Sequence, residues 1–292
     1  MHFQNPPLSV LREKKLFIFD MDGTLFLGDH VFPEAVHLIL HLRSIGKQIL
    51  FFTNNASHNR EVYMKRLTGM GFEPHPEEIM SAGDVTVSFL RKYRPGKKVY
   101  LLGTPELKKS FRNAGIPLIS AKDTVADIVV SSLDSTMTYQ KVCRACNLIA
   151  KGAEYFATHA DLVCPVENGF VPDSGAISAM ICAATGAAPE YFGKPSPRTV
   201  QMICESKGTA PAEMCFFGDR LYTDIAVGRR NGITSVLVLT GEAREEDLAS
   251  APADEIPDFL FPTLEPLDLA WFGSAGASGD GGTEAGSVNP IK

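Results

Sequence analysis

Apolar positions along the chain alternate between short continuous runs and longer stretches with helical spacing. Leu16 to Phe19 is one such run, and it leads directly into Asp20 and Asp22. It reads as a buried strand whose C-terminal lip carries two carboxylates. The following stretch, FPEAVHLILHLRSIGKQILFFTNNA, predicts a helix opened by Pro33, with Val36, Ile39 and Leu40 recurring at helical spacing and Gly46 as the stop. An apolar strand, Ile49 to Phe52, then ends at Thr53. Together these make a β-α-β unit whose parallel strands set Thr53 beside Asp20 at one sheet edge.

A helix is expected from Arg60 to about Met70. From about residue 84 a new α/β series begins: VTVSFLRKY, a strand at Val99 to Leu102, the helix PELKKSFRNAG, a strand at Ile128 to Val130, the helix YQKVCRACNLIAKGA, the strand-like EYFATHAD, and SGAISAMICAATG ending at Gly186. The opening theme then returns. Lys194 precedes a helix that starts near Pro197, apolar Cys215 to Phe217 run into Gly218, Asp219 and then Asp224, and Val236 to Leu239 form a further strand. About 140 residues separate Thr53 from Lys194, far more than an ordinary crossover needs. The fold class is therefore α/β: a Rossmann-like parallel-sheet core, residues 1–82 plus 187–271, with an inserted α/β cap domain at 83–186. The Gly/Ser/Ala-rich end, 272–292, reads as a flexible tail.

Composition narrows the choice of partners. The chain is 45% hydrophobic and 21% charged, as in an ordinary globular protein, and its formal net charge of -6 gives no reason to expect nucleic acid. No apolar stretch approaches the length of a membrane span and the N-terminal residues lack a signal-like core, so the expected location is cytoplasmic. Six cysteines do not suggest a disulfide scaffold. Cys143 and Cys146 lie within a helical pattern and read as half-buried helix residues.

Strand-end residues carry the chemistry. Asp20, Asp22, Asp219 and Asp224, without an imidazole or thiolate companion, suit a hard oxygen-seeking cation, most naturally Mg²⁺. Lys194, Thr53 and the free N–H groups of a loop suit phosphate oxygens. A carboxylate nucleophile is one route to an aspartyl-phosphate.

Four ordered segments, DMDGT at 20–24, FFTNNAS at 51–57, GKPSP at 193–197 and GDRLYTDIAVG at 218–228, resemble the four motifs of the haloacid dehalogenase (HAD) superfamily of aspartate-based phosphatases. Their order and spacing are most similar to the branch with a large α/β cap, which includes NagD-like and 4-nitrophenylphosphatase enzymes. The resemblance implies that Asp20 attacks phosphorus and binds Mg²⁺. It implies that Asp22 acts as acid and then base, with its backbone carbonyl on the metal. Thr53 and the Asn54 N–H would bind the transferring phosphoryl group, and Lys194 would offset charge on Asp20 and phosphate. Asp219 would ligate Mg²⁺, with Asp224 ligating it or orienting its water. Thr53 is equally placed to cap a helix starting near Asn55, and Arg220 to pair with a carboxylate or with substrate.

Within the expected cap, SSLDSTMTYQ, THAD and ENGFVPDSGAISAM resemble family segments but carry Ser132, His159 and Asp173 where glycine, asparagine and glycine are usual. Asp173 either contacts substrate or serves only its turn. Structural or surface roles are expected for His58, His75 and His159. The implied activity is Mg²⁺-dependent hydrolysis of small phosphomonoesters, sugar phosphates first, with aryl phosphates as surrogates, in a monomer or homodimer without a membrane partner. The alternatives are a non-turnover phosphoaspartyl regulator, or a phosphatase for nucleotides, phosphoglycolate or pyridoxal phosphate. Asp22 and the metal pattern favour a phosphatase over a dehalogenase, and a sugar phosphomutase would keep the same nucleophile with a substrate hydroxyl replacing water as acceptor.

Overall fold

The computed structural model describes residues 3–166 and 169–273. Six parallel strands form the larger sheet, in the spatial order Phe259–Phe261, Thr234–Val238, Met214–Gly218, Leu16–Phe19, Gln48–Thr53 and Ile79–Ser81. Leu16–Phe19 lies at its centre and all four residues are buried, because helices cover both faces. Alternation divides them: Leu16 and Ile18 join one core, whereas Phe17 and Phe19 join the other with Phe51 and Phe217.

The predicted helix after Pro33 runs Pro33–Ser44, but its buried face is Ala35, Leu38, Ile39 and Leu42, while Leu40 is 44% exposed. The choice among apolar positions on a Leu-rich helix is made by packing rather than spacing. Met214–Gly218 extends one residue beyond the run read from sequence at each end, whereas Thr234–Val238 starts two residues before the run read there and ends one residue short of Leu239.

A second parallel sheet has the order Glu190–Tyr191, Glu154–Ala157, Ile128–Ser131 and Val99–Leu102. It is the inserted α/β cap. Its last strand lies beyond residue 186, where the sequence reading placed the return to the core, because Glu190 and Tyr191 pair with Phe156 and Ala157. A two-residue strand has no periodicity to reveal it. The Ala82–Tyr93 helix stands between the units: its Phe89 ring lies 5.9 Å from Phe156 and 4.8 Å from Phe192. One hydrophobic cluster accordingly continues from Ile18 and Phe216 into Val130 and Phe156 of the cap sheet.

Two short antiparallel hairpins, Phe26–Leu27 with His30–Val31 and Val163–Val166 with Gly169–Pro172, were not read from sequence. At the end, Glu265–Phe272 is helical and Phe272 packs against the core, so Phe272 is not part of the expected tail; residues 274–292, where the rest of that reading falls, lie outside the described residues. Glu167 and Asn168 of the ENGFVPDSGAISAM segment also lie outside them. No helix among the described residues is long and apolar enough to cross a membrane.

Candidate active site

Parallel pairing gathers the strand-end residues at one edge, as their positions predict. Asp20 follows the central strand and its N–H donates to the Phe217 carbonyl at 2.8 Å, which fixes the turn that carries its carboxylate. Thr53 closes one neighbouring strand and Asp219 follows the other. Lys194 comes from the loop before the Pro197–Lys207 helix, and Asp224 from a single π-helical turn, Leu221–Ile225, a geometry frequent at functional sites.

Carboxylate oxygens of Asp20, Asp219 and Asp224 lie within 4.8 Å of one another. The Lys194 ammonium, 3% exposed, hydrogen-bonds Asp20 and reaches Asp224 Oδ1 at 2.6 Å. It also lies over the Phe52 and Phe216 rings, which shield it from water. Burial alone would lower the Lys194 pKa, but the two carboxylates outweigh it and hold the ammonium above the ordinary lysine value. Burial, the largest influence on Asp20, pushes its carboxyl up to about 6 against the opposing pull of Lys194, with Asp224 adding to the rise. Asp219 is pushed up to about 8, by burial first and then by Asp224 and Asp20.

The cluster fits a divalent cation. Asp219 Oδ2 accepts the Glu242 N–H at 2.7 Å, yet its buried Oδ1 has no protein partner. An orphaned carboxylate oxygen beside two more carboxylates is a ligand set for a hard ion. The backbone makes room for it: Gly23 has φ +88°, and a Cβ there would lie 2.4 Å from Asp219 Oδ2. Asp224 is more fully engaged, with Oδ1 on Lys194 and Oδ2 accepting the Arg220 N–H at 3.1 Å.

A pH dependence follows for the metal-free protein. Carboxyls raised to about 6 and about 8 make the folded state bind more protons than the unfolded one above the ordinary value of 3.8. Stability therefore falls as pH rises through that window. In chelator, the thermal midpoint is expected to be lower near pH 8 than near pH 5, and added divalent cation is expected to raise it most near pH 8. A midpoint independent of pH across that range would contradict this account of the cluster.

The remaining predicted residues are placed less uniformly. Thr53 Oγ1 accepts the Asn55 N–H at 3.1 Å within a turn; no helix starts there, and the next begins at Arg60, capped by Asn59. Asp22 stands outside the three-carboxylate group, 56% exposed and 3.7 Å from Arg66. Asp173 caps the Ser174–Thr185 helix and receives His159 Nε2 at 2.8 Å. Two of the three departures from the family pattern, His159 and Asp173, are thus partners. Arg220 pairs with Glu242 at 2.9 Å.

Asn54 does more than the sequence indicated. Its side chain accepts the Lys194 N–H at 2.8 Å and donates both to the Lys194 carbonyl at 3.1 Å and to Asp161 of the cap. It ties the lysine loop, the second strand end and the cap together. The family-like THAD segment was the only sequence signal for Asp161.

A cavity of about 770 Å³ opens between core and cap, lined by the carboxylate cluster, Thr53, Lys194, Asp22, His58, Asp161 and Asp173. Cys164 also lines it, but burial first, and Asp173 next, push its thiol up to about 11, which argues against a thiolate nucleophile.

An aspartate, a lysine and a cation-ready carboxylate cluster at the edge of a parallel sheet, under an inserted cap, define an aspartate-based hydrolase. Family models agree: residues 17–117 match haloacid dehalogenase-like hydrolase and residues 191–267 match a HAD-hydrolase-like model. The chain belongs to the haloacid dehalogenase-like hydrolases, among the phosphatases of NagD and 4-nitrophenylphosphatase type. It is 32% identical over 238 residues to the acid sugar phosphatase of Staphylococcus aureus (strain MRSA252), covering 82% of this chain and 91% of that protein. The 4-nitrophenylphosphatase of Thermotoga maritima superposes with a TM-score of 0.83 at 41% identity, covering 89% and 98% of the two chains. The glycerol phosphate phosphatase of Mycobacterium tuberculosis, solved in complex with calcium, superposes with a TM-score of 0.80 at 28% identity, covering 88% and 76%. Phosphatases of this family work with a divalent cation.

Proposed function

We propose that this chain is a Mg²⁺-dependent phosphomonoesterase that hydrolyses small phosphorylated metabolites, sugar phosphates first, through an aspartyl-phosphate. The observation that carries this reading is the buried Lys194 shared by Asp20 and Asp224, beside the unpartnered Asp219 Oδ1. One lysine against three clustered carboxylates leaves net negative charge for a cation to offset, and the cation in turn draws a phosphate into the cavity.

Asp20 attacks phosphorus, the bond from phosphorus to the leaving oxygen breaks, and Asp22 gives its proton to the departing alkoxide. Asp22, now a carboxylate, takes a proton from water, whose oxygen attacks the phosphoryl group. The bond to Asp20 breaks, phosphate leaves, and both aspartates return to their starting states. Thr53 and the Asn54 N–H bind the phosphoryl oxygens, and Lys194 keeps Asp20 ionised and aimed. Asp20, Asp219 and the Asp22 carbonyl would hold Mg²⁺, with Asp224 as ligand or orienting group, and the ion would supply charge compensation for the phosphoryl oxygens.

The domains assigned are the core at 1–82 plus 187–271 and the cap at 83–186, with the cap sheet's last strand at Glu190–Tyr191 carried just past that limit. The enzyme works in the cytoplasm as a monomer or homodimer, without nucleic acid.

Phosphate release from sugar phosphates, nucleotides, phosphoglycolate, pyridoxal phosphate and 4-nitrophenyl phosphate, each with Mg²⁺ or EDTA, tests the reading. Release confined to the Mg²⁺ samples is expected; silence with every substrate would refute it. Asp22→Asn is expected to cost about 10²-fold to 10⁴-fold on alkyl phosphates and much less on 4-nitrophenyl phosphate, whose leaving group needs little protonation. Equal losses on both would remove Asp22 from its role as acid.

A further inference from the structure

The charge balance of the cavity is lopsided. Among the described residues it is lined by seven carboxylates and three lysine or arginine side chains. Each of those cations is already engaged. Lys194 is held by Asp20 and Asp224, and Arg220 by Glu242 at 2.9 Å. Arg66 faces Asp22 at 3.7 Å, donates to the Gly28 carbonyl at 2.9 Å and lies over the Phe26 ring. A divalent cation and a phosphate dianion cancel one another, so a loaded site keeps the excess of negative charge.

Two of the four excess negative charges sit on the cap. Asp161 and Asp173 present carboxylate oxygens within 4.8 Å of one another and of a His159 ring nitrogen. Neither has a lysine or arginine partner among the described residues. Both are held rigidly: Asp161 accepts from Asn54 Nδ2 at 3.2 Å with each oxygen, and Asp173 accepts from His159 Nε2 at 2.8 Å and from the Ser174 N–H at 2.6 Å. The phosphoryl group is fixed on the core side by Asp20, Thr53 and Lys194, so the leaving group extends toward these carboxylates. In a cavity partly enclosed by core and cap such charges are screened less than on the open surface.

We infer that the cap sorts substrates by the charge of the leaving group, with Asp161 and Asp173 favouring amine-bearing or neutral polyhydroxyl leaving groups and excluding acidic ones. Hydroxyl and ammonium groups donate to these oxygens, whereas a second carboxylate or phosphate meets like charge. This inference rests on the phosphatase reading and refines it: phosphoglycolate and nucleoside polyphosphates fall outside the substrate class, and amino sugar or polyol monophosphates fall inside it.

The test is a charge-matched series on the full chain with Mg²⁺ at neutral pH and low salt: glucosamine 6-phosphate, glucose 6-phosphate and 6-phosphogluconate, then phosphoethanolamine against phosphoglycolate. We expect kcat/KM to fall in the order amine, neutral, acid, by about tenfold per unit of leaving-group charge. Asp161→Asn and Asp173→Asn should each narrow the ratio of amine to acid within the variant. Should either variant fail to fold, the order measured on the unaltered chain still decides. A flat or inverted order, alongside normal hydrolysis of 4-nitrophenyl phosphate, would overturn the charge filter and leave the phosphatase reading intact. No hydrolysis of any member of the series or of 4-nitrophenyl phosphate would instead mean that the phosphatase reading itself had failed.

Discussion

Asp20→Asn is expected to abolish turnover, lowering kcat by at least about 10⁴-fold on every phosphomonoester. The amide is nearly isosteric with the carboxylate, so the central strand and its turn should survive, and circular dichroism should report a folded protein. Chemistry is lost for two separate reasons. An amide oxygen is a poor nucleophile toward phosphorus, and the substitution removes one of three clustered carboxylates and so weakens the cation site. Acid-quenched single turnovers with ³²P-labelled substrate should trap label on the unaltered protein and none on the variant. Residual activity above about one per cent would place the nucleophile elsewhere.

Lys194→Met is expected to damage both activity and stability. The lysine is 3% exposed and bridges Asp20 to the fully buried Asp224. Methionine fills similar volume but leaves two buried carboxylates uncompensated, and breaking such a buried network typically costs about 3–5 kcal/mol. In the unaltered protein the Lys194 pKa is raised, so its contribution is fully present below the ordinary lysine value and is lost only as pH rises through the elevated one. Across neutral pH the lysine therefore supports the fold throughout. In the variant the deficit should shrink as pH falls, because protonating Asp20 or Asp219 removes the repulsion. Denaturant titrations near pH 8 and pH 5 measure this, and an equal deficit at both would show that lost packing rather than lost charge compensation is responsible. Activity should fall by about 10³-fold or more, since the phosphoryl group and Asp20 lose their shared counter-ion.

Local order made much of this site legible. A four-residue apolar run, too short for a buried helix, reads as a strand buried on both faces, and polar residues immediately after it then emerge at the sheet's C-terminal edge. Asp20, Thr53 and Asp219 were placed by that reasoning alone, and the proline and glycine punctuation around Pro197–Lys207 placed Lys194 just ahead of its helix. The short strands were not legible, because two residues carry no alternation: Glu190–Tyr191 and the Phe26–Leu27 hairpin arise only where a neighbouring strand supplies hydrogen-bond partners. The supposed helix cap at Thr53 shows the same limit. A hydroxyl can accept an N–H two residues on in a turn as readily as at a helix start, and packing selected the turn.

The sequence by itself determined the chemistry available to this protein: which side chains are acids, which lysine accompanies them, and that Asp20, Thr53 and Asp219 emerge where strands of one sheet end. Tertiary structure alone decided how they are coupled. The joining of Lys194 to both Asp20 and Asp224, the binding of Asn54 to the Lys194 loop and to Asp161, and the pairing of His159 with Asp173 are contacts between groups far apart along the chain or on separate elements. Hydrophobic periodicity fixes where a strand ends, but the direction and distance between two such ends depend on how sheets and helices pack against one another, and no local pattern encodes that.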